Sequence, residues 1–292
     1  MMCATVSLGT IDRASRPFQD VSPAEAEKML ADGAVAIDVR TAREHEEEGH
    51  VPGSLLLPLV LVASAPAVLP ADGRRFVVYC ADGVRSYRAA SRLGEAGVAN
   101  VYNMTGGLKS WKGDVETGPA SLSGPSSWLV AHTSLVPPGA RTLDVACGRG
   151  RHALLLADAG FMVRAIDRDA ARMKQLGTLA RRLRLPLNAE VVDLESSDVD
   201  LGDEEWGFVI VFHYLHRPLF PALVRALRPG GVLLYETFTR EQAQHGSPSN
   251  PDFLLEPGEL PRLVAPLEVI RQREGEYDGR HVASVAARKA AP

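Results

Sequence analysis

The sequence predicts an α/β protein of two domains, the second built on a mostly parallel sheet that a C-terminal hairpin closes. From residue 140 onward, apolar runs of strand length alternate with stretches of helical periodicity, which is typical of a parallel sheet covered by helices. Before that point, residues 112–139 contain four glycines, four prolines and several serines, a composition typical of a flexible linker. We therefore expect domains over residues 1–118 and 119–292, joined by a linker at about 112–139.

The composition argues against several classes of partner. A net charge of −4 does not suit a protein that binds nucleic acid or an anionic membrane. The longest apolar stretch, residues 51–69, is interrupted by three prolines, so no membrane-spanning helix is expected. The cysteines Cys3, Cys80 and Cys147 are too few and too scattered for a disulfide framework or a metal site. The first residues lack an export signal, which favours a cytoplasmic location.

The elements of the first domain follow from short local patterns. Ser22, Pro23 and Glu25 form the pattern of a capping box with proline in the first helical turn, so a helix begins there. Strands are expected over residues 34–39 and 76–79, and the second of these runs directly into Cys80.

The stretch that begins at Cys80 has the features of a reactive-cysteine loop. A strand delivers Cys80 to a tight turn that contains Gly83, and a helix is expected to begin at Ser86. Loop N–H groups and the start of the helix would surround the sulfur with positive potential, to which Arg85 adds a full charge. Such a field favours the thiolate, which is the nucleophilic form of cysteine. We therefore interpret Cys80 as a reactive residue.

Residues 1–118 resemble a rhodanese domain. The resemblance lies in four motifs in the family's order and spacing: Ile-Asp-Val-Arg at 37–40, Glu46 with Gly-His-Val-Pro-Gly-Ser at 49–54, the loop 80–85 with Ser86, and Met-Thr-Gly-Gly-Leu-Lys-Ser-Trp at 104–111. It implies that Cys80 carries a persulfide sulfur, that Arg85 helps to hold it, and that a sulfur donor or acceptor is a partner. It also implies structural roles for Asp38 and Arg40. The six-residue loop has the length found in sulfurtransferases, whereas Asp82 departs from the pattern and makes thiosulfate a less favourable donor.

The second domain begins with a strand, a glycine turn and a helix. The strand breaks at Gly148 and Gly150, and the helix extends to Gly160. Glycines let a ligand approach the backbone, and the helix start offers unpaired N–H groups, so this unit predicts a nucleotide-cofactor site. Strands are expected, in chain order, over residues 141–147, 162–166, 189–192, 207–212, 232–235, 267–271 and 281–287.

Three aspartates lie where ligands bind in an open parallel sheet. Asp144 is within the first strand, and Asp167 and Asp193 follow the second and third strands. Asp167 is 19 residues after Gly148, the place for a carboxylate that binds both ribose hydroxyls. The spacing G-x-G-x-x-A also fits NAD, which is a rival cofactor. Asp144 would repel a pyrophosphate, however, and would suit the ammonium group of S-adenosylmethionine.

From about residue 126 to the end, the chain resembles the class I S-adenosylmethionine-dependent methyltransferases, which have a Rossmann-like fold, and looks closest to the tellurite-resistance type. The matching motifs are Leu-Asp-Val-Ala-Cys-Gly-Arg-Gly at 143–150, Ala-Ile-Asp at 165–167, Val-Asp-Leu at 192–194 and Leu-Arg-Pro-Gly-Gly-Val-Leu-Leu at 227–234. The last motif is foreign to NAD folds. By this resemblance the cofactor is S-adenosylmethionine: Gly148 and Gly150 approach its amino-acid part, Asp167 binds the ribose, and Asp193 with Leu194 frames the adenine.

The acceptor site is expected after the fourth strand, in residues 212–217. His213 and His216 are candidate general bases there, and Tyr235, Glu236 and Thr237 are expected to face the same pocket. The motif of nucleic-acid amino methyltransferases is absent from this stretch, so we expect a small-molecule acceptor, with a thiol or other chalcogen as the specific hypothesis.

Two alternative functions stay open. In one, the protein is a sulfurtransferase with a regulatory domain that binds S-adenosylmethionine. In the other, it is a methyltransferase whose first domain only recruits a partner.

Overall fold

The computed structural model describes residues 16–118, 124–196 and 199–291. Two sheets organise the chain, one of five strands and one of seven. Cys3 lies outside the described residues.

The first sheet is parallel throughout, with the strand order β1-β5-β4-β2-β3. Its strands are β1 (Gln19–Val21), β2 (Val35–Asp38), β3 (Leu55–Leu56), β4 (Phe76–Tyr79) and β5 (Val101–Met104). Its helices are α1 (Pro23–Ala31), α2 (Ala42–Glu47), α3 (Ala65–Val68), α4 (Val84–Glu95) and α5 (Gly107–Ser110). All four residues of β4 are buried, and this central strand leads directly to Cys80.

Local patterns explain several of these elements. The capping box predicted at α1 is confirmed, since Ser22 and Glu25 exchange side-chain and backbone hydrogen bonds. The predicted structural pair is also present: Asp38 is 0% exposed, Arg40 is 1% exposed, and two hydrogen bonds join Arg40 Nε to the two carboxylate oxygens. A buried carboxylate and guanidinium are stable only when paired in this way.

The second sheet has seven strands in the order β11-β12-β10-β9-β6-β7-β8, all parallel except β12, which runs antiparallel to both of its neighbours. The strands are β6 (Arg141–Val145), β7 (Met162–Asp167), β8 (Leu187–Val191), β9 (Trp206–Phe212), β10 (Leu227–Phe238), β11 (Glu268–Tyr277) and β12 (Arg280–Arg288). The helices are α6 (Ser127–His132), α7 (Arg151–Asp158), α8 (Ala170–Leu183), α9 (Phe220–Ala226) and α10 (Leu260–Leu263). The predicted C-terminal hairpin is confirmed as β11 and β12.

The strand order of this sheet reverses between β6 and β9, because the chain goes from β6 outward to β8 and then crosses back. In an open α/β sheet, ligands bind outside the carboxyl ends of the strands at such a switch point. The fold therefore places the ends of β6, β7 and β9 around one crevice.

The two domains pack closely against each other. A 3₁₀ helix, Leu59–Ser64, and α3 contact α7 of the second domain, and one buried apolar cluster continues across the junction. Leu57 and Leu61 are at most 4% exposed there. The composition of residues 112–139 predicted a flexible linker; in the structure, the apolar stretch 51–69 holds the domains together instead.

Several element boundaries differ from the predicted ones. Helix α4 begins at Val84, two residues before the expected start at Ser86. Strand β10 is longer than the predicted 232–235, because residues 227–231 pair irregularly with β9 before the regular register begins. Strands β1, β3 and β5, of three, two and four residues, were not predicted.

Candidate active site

The turn after β6 forms the floor of a groove in the second domain. Ala146, Gly148 and Gly150 all have positive φ, at 55°, 58° and 82°. A Cβ on Gly150 would lie 2.6 Å from the side chain of Leu176, whereas one on Gly148 would meet no described atom within 4 Å. Gly150 is therefore needed for close packing of the turn on α8, and Gly148 presents a backbone surface open to a ligand.

Asp144 places a buried carboxyl group at this groove. The residue is 1% exposed, and its Oδ2 atom has no hydrogen-bond partner within the described residues. Burial raises the pKa of Asp144 to about 8. An unpaired buried oxygen is costly, so a ligand that brings an ammonium group would satisfy it. This observation fits the ammonium group of S-adenosylmethionine.

Asp167 and Asp193 are oriented by backbone N–H groups. Asp167 accepts hydrogen bonds from Gly148 N, at 2.9 Å, and from Asp169 N, at 3.0 Å. Asp193 Oδ1 accepts from Glu195 N at 3.1 Å. Each carboxylate oxygen has a further lone pair, so both side chains can still accept hydrogen bonds from ligand hydroxyl or amino groups.

Three cavities adjoin these residues. The first, which we call the apolar cavity, has a volume of about 270 Å³ and is lined by residues that include Asp167, Asp193, Leu194, Tyr214, Phe238 and Phe253. The second, the glycine-loop groove, has about 420 Å³ and is lined by residues that include Asp144, Gly148, Arg151, Asp167 and Tyr214. The third, the interdomain cavity, has about 460 Å³ and is lined by residues that include Val68, Leu69, Arg151, Glu236 and Arg280.

His213 lines all three cavities. Its backbone has a positive φ of 58°, which is uncommon for a residue with a side chain, and its N–H donates to Glu236 O at 2.8 Å. Its ring stacks on Phe238 with the centroids 4.7 Å apart. The fold therefore holds this imidazole at the junction of the cavities in a conformation that has an energetic cost, as is common at functional sites.

The charge state of His213 limits what it can do. Burial, with the Arg151 and Arg280 guanidiniums, lowers its pKa to about 3. Arg151 Nη2 donates to His213 Nδ1 at 3.3 Å, which assigns the remaining ring proton to Nε2. His213 is thus a neutral hydrogen-bond donor and a weak base. The other candidate, His216, precedes the short 3₁₀ helix Arg217–Leu219 and is half-buried.

The structure adds site residues that the sequence did not single out. The Tyr214 hydroxyl is buried without a hydrogen-bond partner in the described part of the chain, and it faces the apolar cavity and the glycine-loop groove. Arg151, the residue after Gly150, lies between the groove and the interdomain cavity. Of the three candidates on β10, Glu236 lines the interdomain cavity, whereas Tyr235 belongs to the core and donates to Tyr214 O.

In the first domain, the Cys80 sulfur lies inside its loop. Sγ accepts hydrogen bonds from Gly83 N at 3.2 Å and from Ser86 N at 3.3 Å, and the residue is 0% exposed. The Asp82 carboxylate is close as well, with Oδ1 at 3.6 Å from the sulfur. The motif at residues 104–111 binds the loop through the backbone, because Leu108 N donates a hydrogen bond to Cys80 O at 2.8 Å.

Arg85 is bound to a carboxylate in this structure. Its guanidinium donates to both oxygens of Glu44, and this pairing lowers the pKa of Glu44 to about 2. The sequence predicted that the positive charge of Arg85 acts on the Cys80 sulfur. In the structure, the Glu44 carboxylate already compensates that charge. The remaining described cysteine, Cys147, is free and buried, and burial raises the pKa of its thiol.

Comparison with known families finds a match for each of the two domains. Residues 22–114 match the family described as a rhodanese-like domain, and residues 142–231 match the family described as a methyltransferase domain. The chain is a rhodanese-like domain followed by a methyltransferase domain. The second match supports S-adenosylmethionine as the cofactor predicted from the glycine turn and the aspartates.

Curated relatives resemble part of the chain. A sulfurtransferase of Allochromatium vinosum is 36% identical over 86 residues, which are 29% of this chain and 78% of that protein. The thiosulfate sulfurtransferase GlpE of Pseudomonas savastanoi is 33% identical over 32% of this chain and 88% of that protein. Hemagglutinin 1 of Eikenella corrodens is 29% identical over 141 residues, and the chain spans only 46% of its length.

Solved structures resemble the chain over little more than half its length. A methyltransferase of Aquifex aeolicus that depends on S-adenosylmethionine has 18% identity and a TM-score of 0.46, over 56% of this chain and 89% of that one. TehB of Haemophilus influenzae has 18% identity and a TM-score of 0.46, over 55% of this chain and 61% of that one.

Two further properties of the described residues concern membranes and metals. None of the helices there combines the length and the apolar character that crossing a bilayer requires. Within the same residues, no group of three or more His, Cys, Asp or Glu side chains is arranged to hold a metal ion.

Proposed function

We propose that the methyltransferase domain transfers a methyl group from S-adenosylmethionine to a small molecule whose reacting atom lies beside His213. The observation that supports this most is the meeting of three cavities at that residue. The apolar cavity is lined by residues that suit a nucleoside, and the glycine-loop groove is lined by residues that suit an amino acid. The interdomain cavity is left for the acceptor.

The cofactor residues divide between two cavities. Asp167, Asp193 and Leu194 in the apolar cavity would hold the ribose and adenine, and Asp144 with Gly148 in the glycine-loop groove would hold the amino-acid part. Gly150 shapes the turn through its packing on Leu176. When bound, S-adenosylmethionine supplies an electrophilic methyl group on a sulfonium.

The protein contributes alignment and exclusion of water, because displacement at a methyl carbon needs the two reactants held in line. His213, with its proton on Nε2, can donate a hydrogen bond to a ligand, and it is too weak a base to deprotonate an alcohol or an ammonium group. This supports an acceptor whose reacting atom becomes anionic near neutral pH without a strong base, such as a thiolate, a persulfide or another chalcogen compound. His216 is retained as a second candidate base.

The test is to incubate the full-length protein with S-adenosylmethionine labelled in its methyl group and a metabolite extract, and to identify the labelled product by mass spectrometry. We expect a methylated small molecule with the label on sulfur or selenium. A label on oxygen or nitrogen would reject the chalcogen hypothesis, and no labelled product with tightly bound cofactor would favour a regulatory domain.

For the rhodanese-like domain, we propose that Cys80 carries a persulfide. The two backbone N–H groups on its sulfur support this, as does similarity to proteins named as sulfurtransferases. Arg85, held by Glu44, would act as a neighbouring charge. Because Asp82 lies near the sulfur, a neutral or protein-bound sulfur donor suits the loop better than thiosulfate.

Mass spectrometry after incubation with several sulfur donors tests this second activity. We expect one added sulfur on Cys80 and none in Cys80→Ser, with Cys147 unmodified in both. An unmodified Cys80 across all donors would favour a binding role for this domain.

We also propose that the chain is divided into domains over residues 1–118 and 119–292. We propose a cytoplasmic location and no nucleic-acid or membrane partner.

A further inference from the structure

The interdomain cavity is built by both domains. Leu55, Val68 and Leu69 of the rhodanese-like domain form an apolar wall, and residues of the methyltransferase domain form the polar remainder. Arg149, within the glycine turn, fixes this wall in place, since its Nη2 donates to Pro66 O at 3.1 Å and to Leu69 O at 3.4 Å. The rhodanese-like domain is thus bound directly to the glycine turn, which borders the glycine-loop groove.

The polar part of the cavity carries excess positive charge. Arg151 contacts a carbonyl oxygen, Gly124 O, and the neutral His213, both at 3.3 Å, so no carboxylate neutralises it at ion-pair distance among the described residues. Arg280 is exposed at the start of β12 and lines the same cavity. Burial, and next the proximity of Arg280, lower the pKa of Arg151.

The carboxylates that line the cavity offset only part of this charge. Glu236 is buried and already satisfied, because it accepts from Ser126 Oγ and Ser284 Oγ, both at 2.7 Å, and from Arg273 Nη2 at 3.0 Å. Its charge is balanced by Arg273. The two unpaired guanidiniums therefore face one further carboxylate, that of Asp278, which accepts from Ser127 N at 3.2 Å.

We propose that the interdomain cavity is the acceptor site and that it selects a small molecule carrying an anionic group, such as a carboxylate, bound by Arg280 and Arg151. The apolar wall from the rhodanese-like domain covers the acceptor, so the first domain is part of the methyltransferase site. Guanidinium groups bind carboxylates through paired hydrogen bonds, and the proximity of Arg151 to His213 would place the anionic group beside the reacting atom. This inference rests on the proposed methyl transfer.

The carboxylate of S-adenosylmethionine is the other source of an anion for Arg151. Arg280 separates the two sources, because it lines the interdomain cavity, whereas Arg151 lines both that cavity and the glycine-loop groove. The critical variant is therefore Arg280→Met, which keeps an unbranched, flexible side chain and removes the guanidinium with its charge. The matched control is Arg271→Met, at an exposed position on the neighbouring strand β11.

A second pair of variants tests the wall from the first domain. Val68→Asp would place a negative charge at the cavity, and Val60→Asp would place the same charge in the same segment at a position that is 72% exposed. Urea unfolding checks that each variant folds, and cofactor binding, measured by calorimetry, checks that its glycine-loop groove is intact.

The assay uses a metabolite extract separated on an anion-exchange resin at pH 7, with methyl-labelled S-adenosylmethionine. We expect the accepting activity in the retained, anionic fraction. Arg280→Met should raise the amount of that fraction needed for half-maximal rate by roughly tenfold to a hundredfold, the range expected for loss of a charge-assisted hydrogen bond. Val68→Asp should act in the same direction, with cofactor affinity and both controls within about twofold of wild type.

Accepting activity in the unretained fraction would overturn the proposal, as would equal behaviour of Arg280→Met and Arg271→Met. Loss of cofactor affinity in Arg280→Met would assign the arginine to the cofactor instead and would also overturn it. Absence of methylation in every fraction, with the cofactor bound, would instead reject the methyltransferase activity itself.

Discussion

Replacement of Asp144 by asparagine should change how the stability of the protein depends on pH. Burial raises the pKa of this carboxyl from 3.8 to about 8 in the folded state. As the pH rises, the unfolded chain loses its proton first, so folding is weakened between about pH 4 and pH 8. Each unit of pH in that window costs about 1.36 kcal/mol. Asp144→Asn has no proton to lose and should escape this cost.

From pH 5 to pH 8, the variant should therefore gain roughly 2–4 kcal/mol over wild type in free energy of unfolding, where about 4 kcal/mol is the upper bound for three units. Urea unfolding followed by tryptophan fluorescence at several pH values measures this difference. The exposed Asp203→Asn serves as the control and should follow wild type. A difference between Asp144→Asn and wild type that stays constant with pH would refute the reasoning.

The same carboxyl group should release its proton when the cofactor binds. A cationic group beside Asp144 Oδ2 favours the ionised form, so binding at pH 7 should transfer protons to the buffer. Calorimetry in two buffers of different ionisation enthalpy detects this release, and Asp144→Asn should abolish it. Equal binding enthalpies in both buffers for wild type would show that Asp144 does not meet the ammonium group.

Two further substitutions test the turn and the histidine. Gly150→Ala should lower the free energy of unfolding, measured in urea, by roughly 1–3 kcal/mol, because the new Cβ would collide with Leu176 at a position where φ is positive. Gly148→Ala should lower it less, since a Cβ there meets open space. Equal losses in the two variants would contradict this account of the turn. For His213, whose pKa is lowered to about 3, the methylation rate should show no step near pH 6.5, and a step there that disappears in His213→Asn would show that the imidazole titrates during the reaction.

Much of the cofactor site could be predicted from the sequence because it depends on local patterns. The glycine turn follows directly from β6, and Asp167 ends β7, so their positions along the chain define their places at the edge of the sheet. The hydrogen bond from Gly148 N to Asp167 Oδ2 joins these two predicted elements. Cys80 was found in the same way, since strand β4 and Gly83 are its neighbours in sequence.

The interdomain cavity could not be predicted, because it depends on contacts between residues distant in sequence. Val68 and Arg280 are more than 200 positions apart, yet they line one cavity. The available signal was the apolar stretch 51–69, in which about half of the residues are buried although its elements are only the two-residue strand β3 and two short helices. The composition of the linker indicated flexibility, but it contained no information on whether the domains pack together.

The pairing of Arg85 with Glu44 shows a similar limit. The sequence placed a positive charge beside Cys80, and the charged run at residues 44–48 was typical of a solvated surface. In the fold, α2 brings Glu44 against the loop, where its carboxylate accepts hydrogen bonds from the two terminal nitrogens of the Arg85 guanidinium. Tertiary packing decides which carboxylate pairs with which cation, and the sequence motif alone does not contain that information.

The central claim is that the glycine turn and the strand-end aspartates hold S-adenosylmethionine. Calorimetric titration of the full-length protein with S-adenosylmethionine and, separately, with NAD tests it most directly. We expect S-adenosylmethionine to bind and Asp167→Ala to weaken it at least a hundredfold, since two charge-assisted hydrogen bonds contribute roughly 1.5–3 kcal/mol each, while the exposed Asp203→Ala binds as wild type does. Binding of NAD in its place, or unchanged affinity in Asp167→Ala, would contradict the claim.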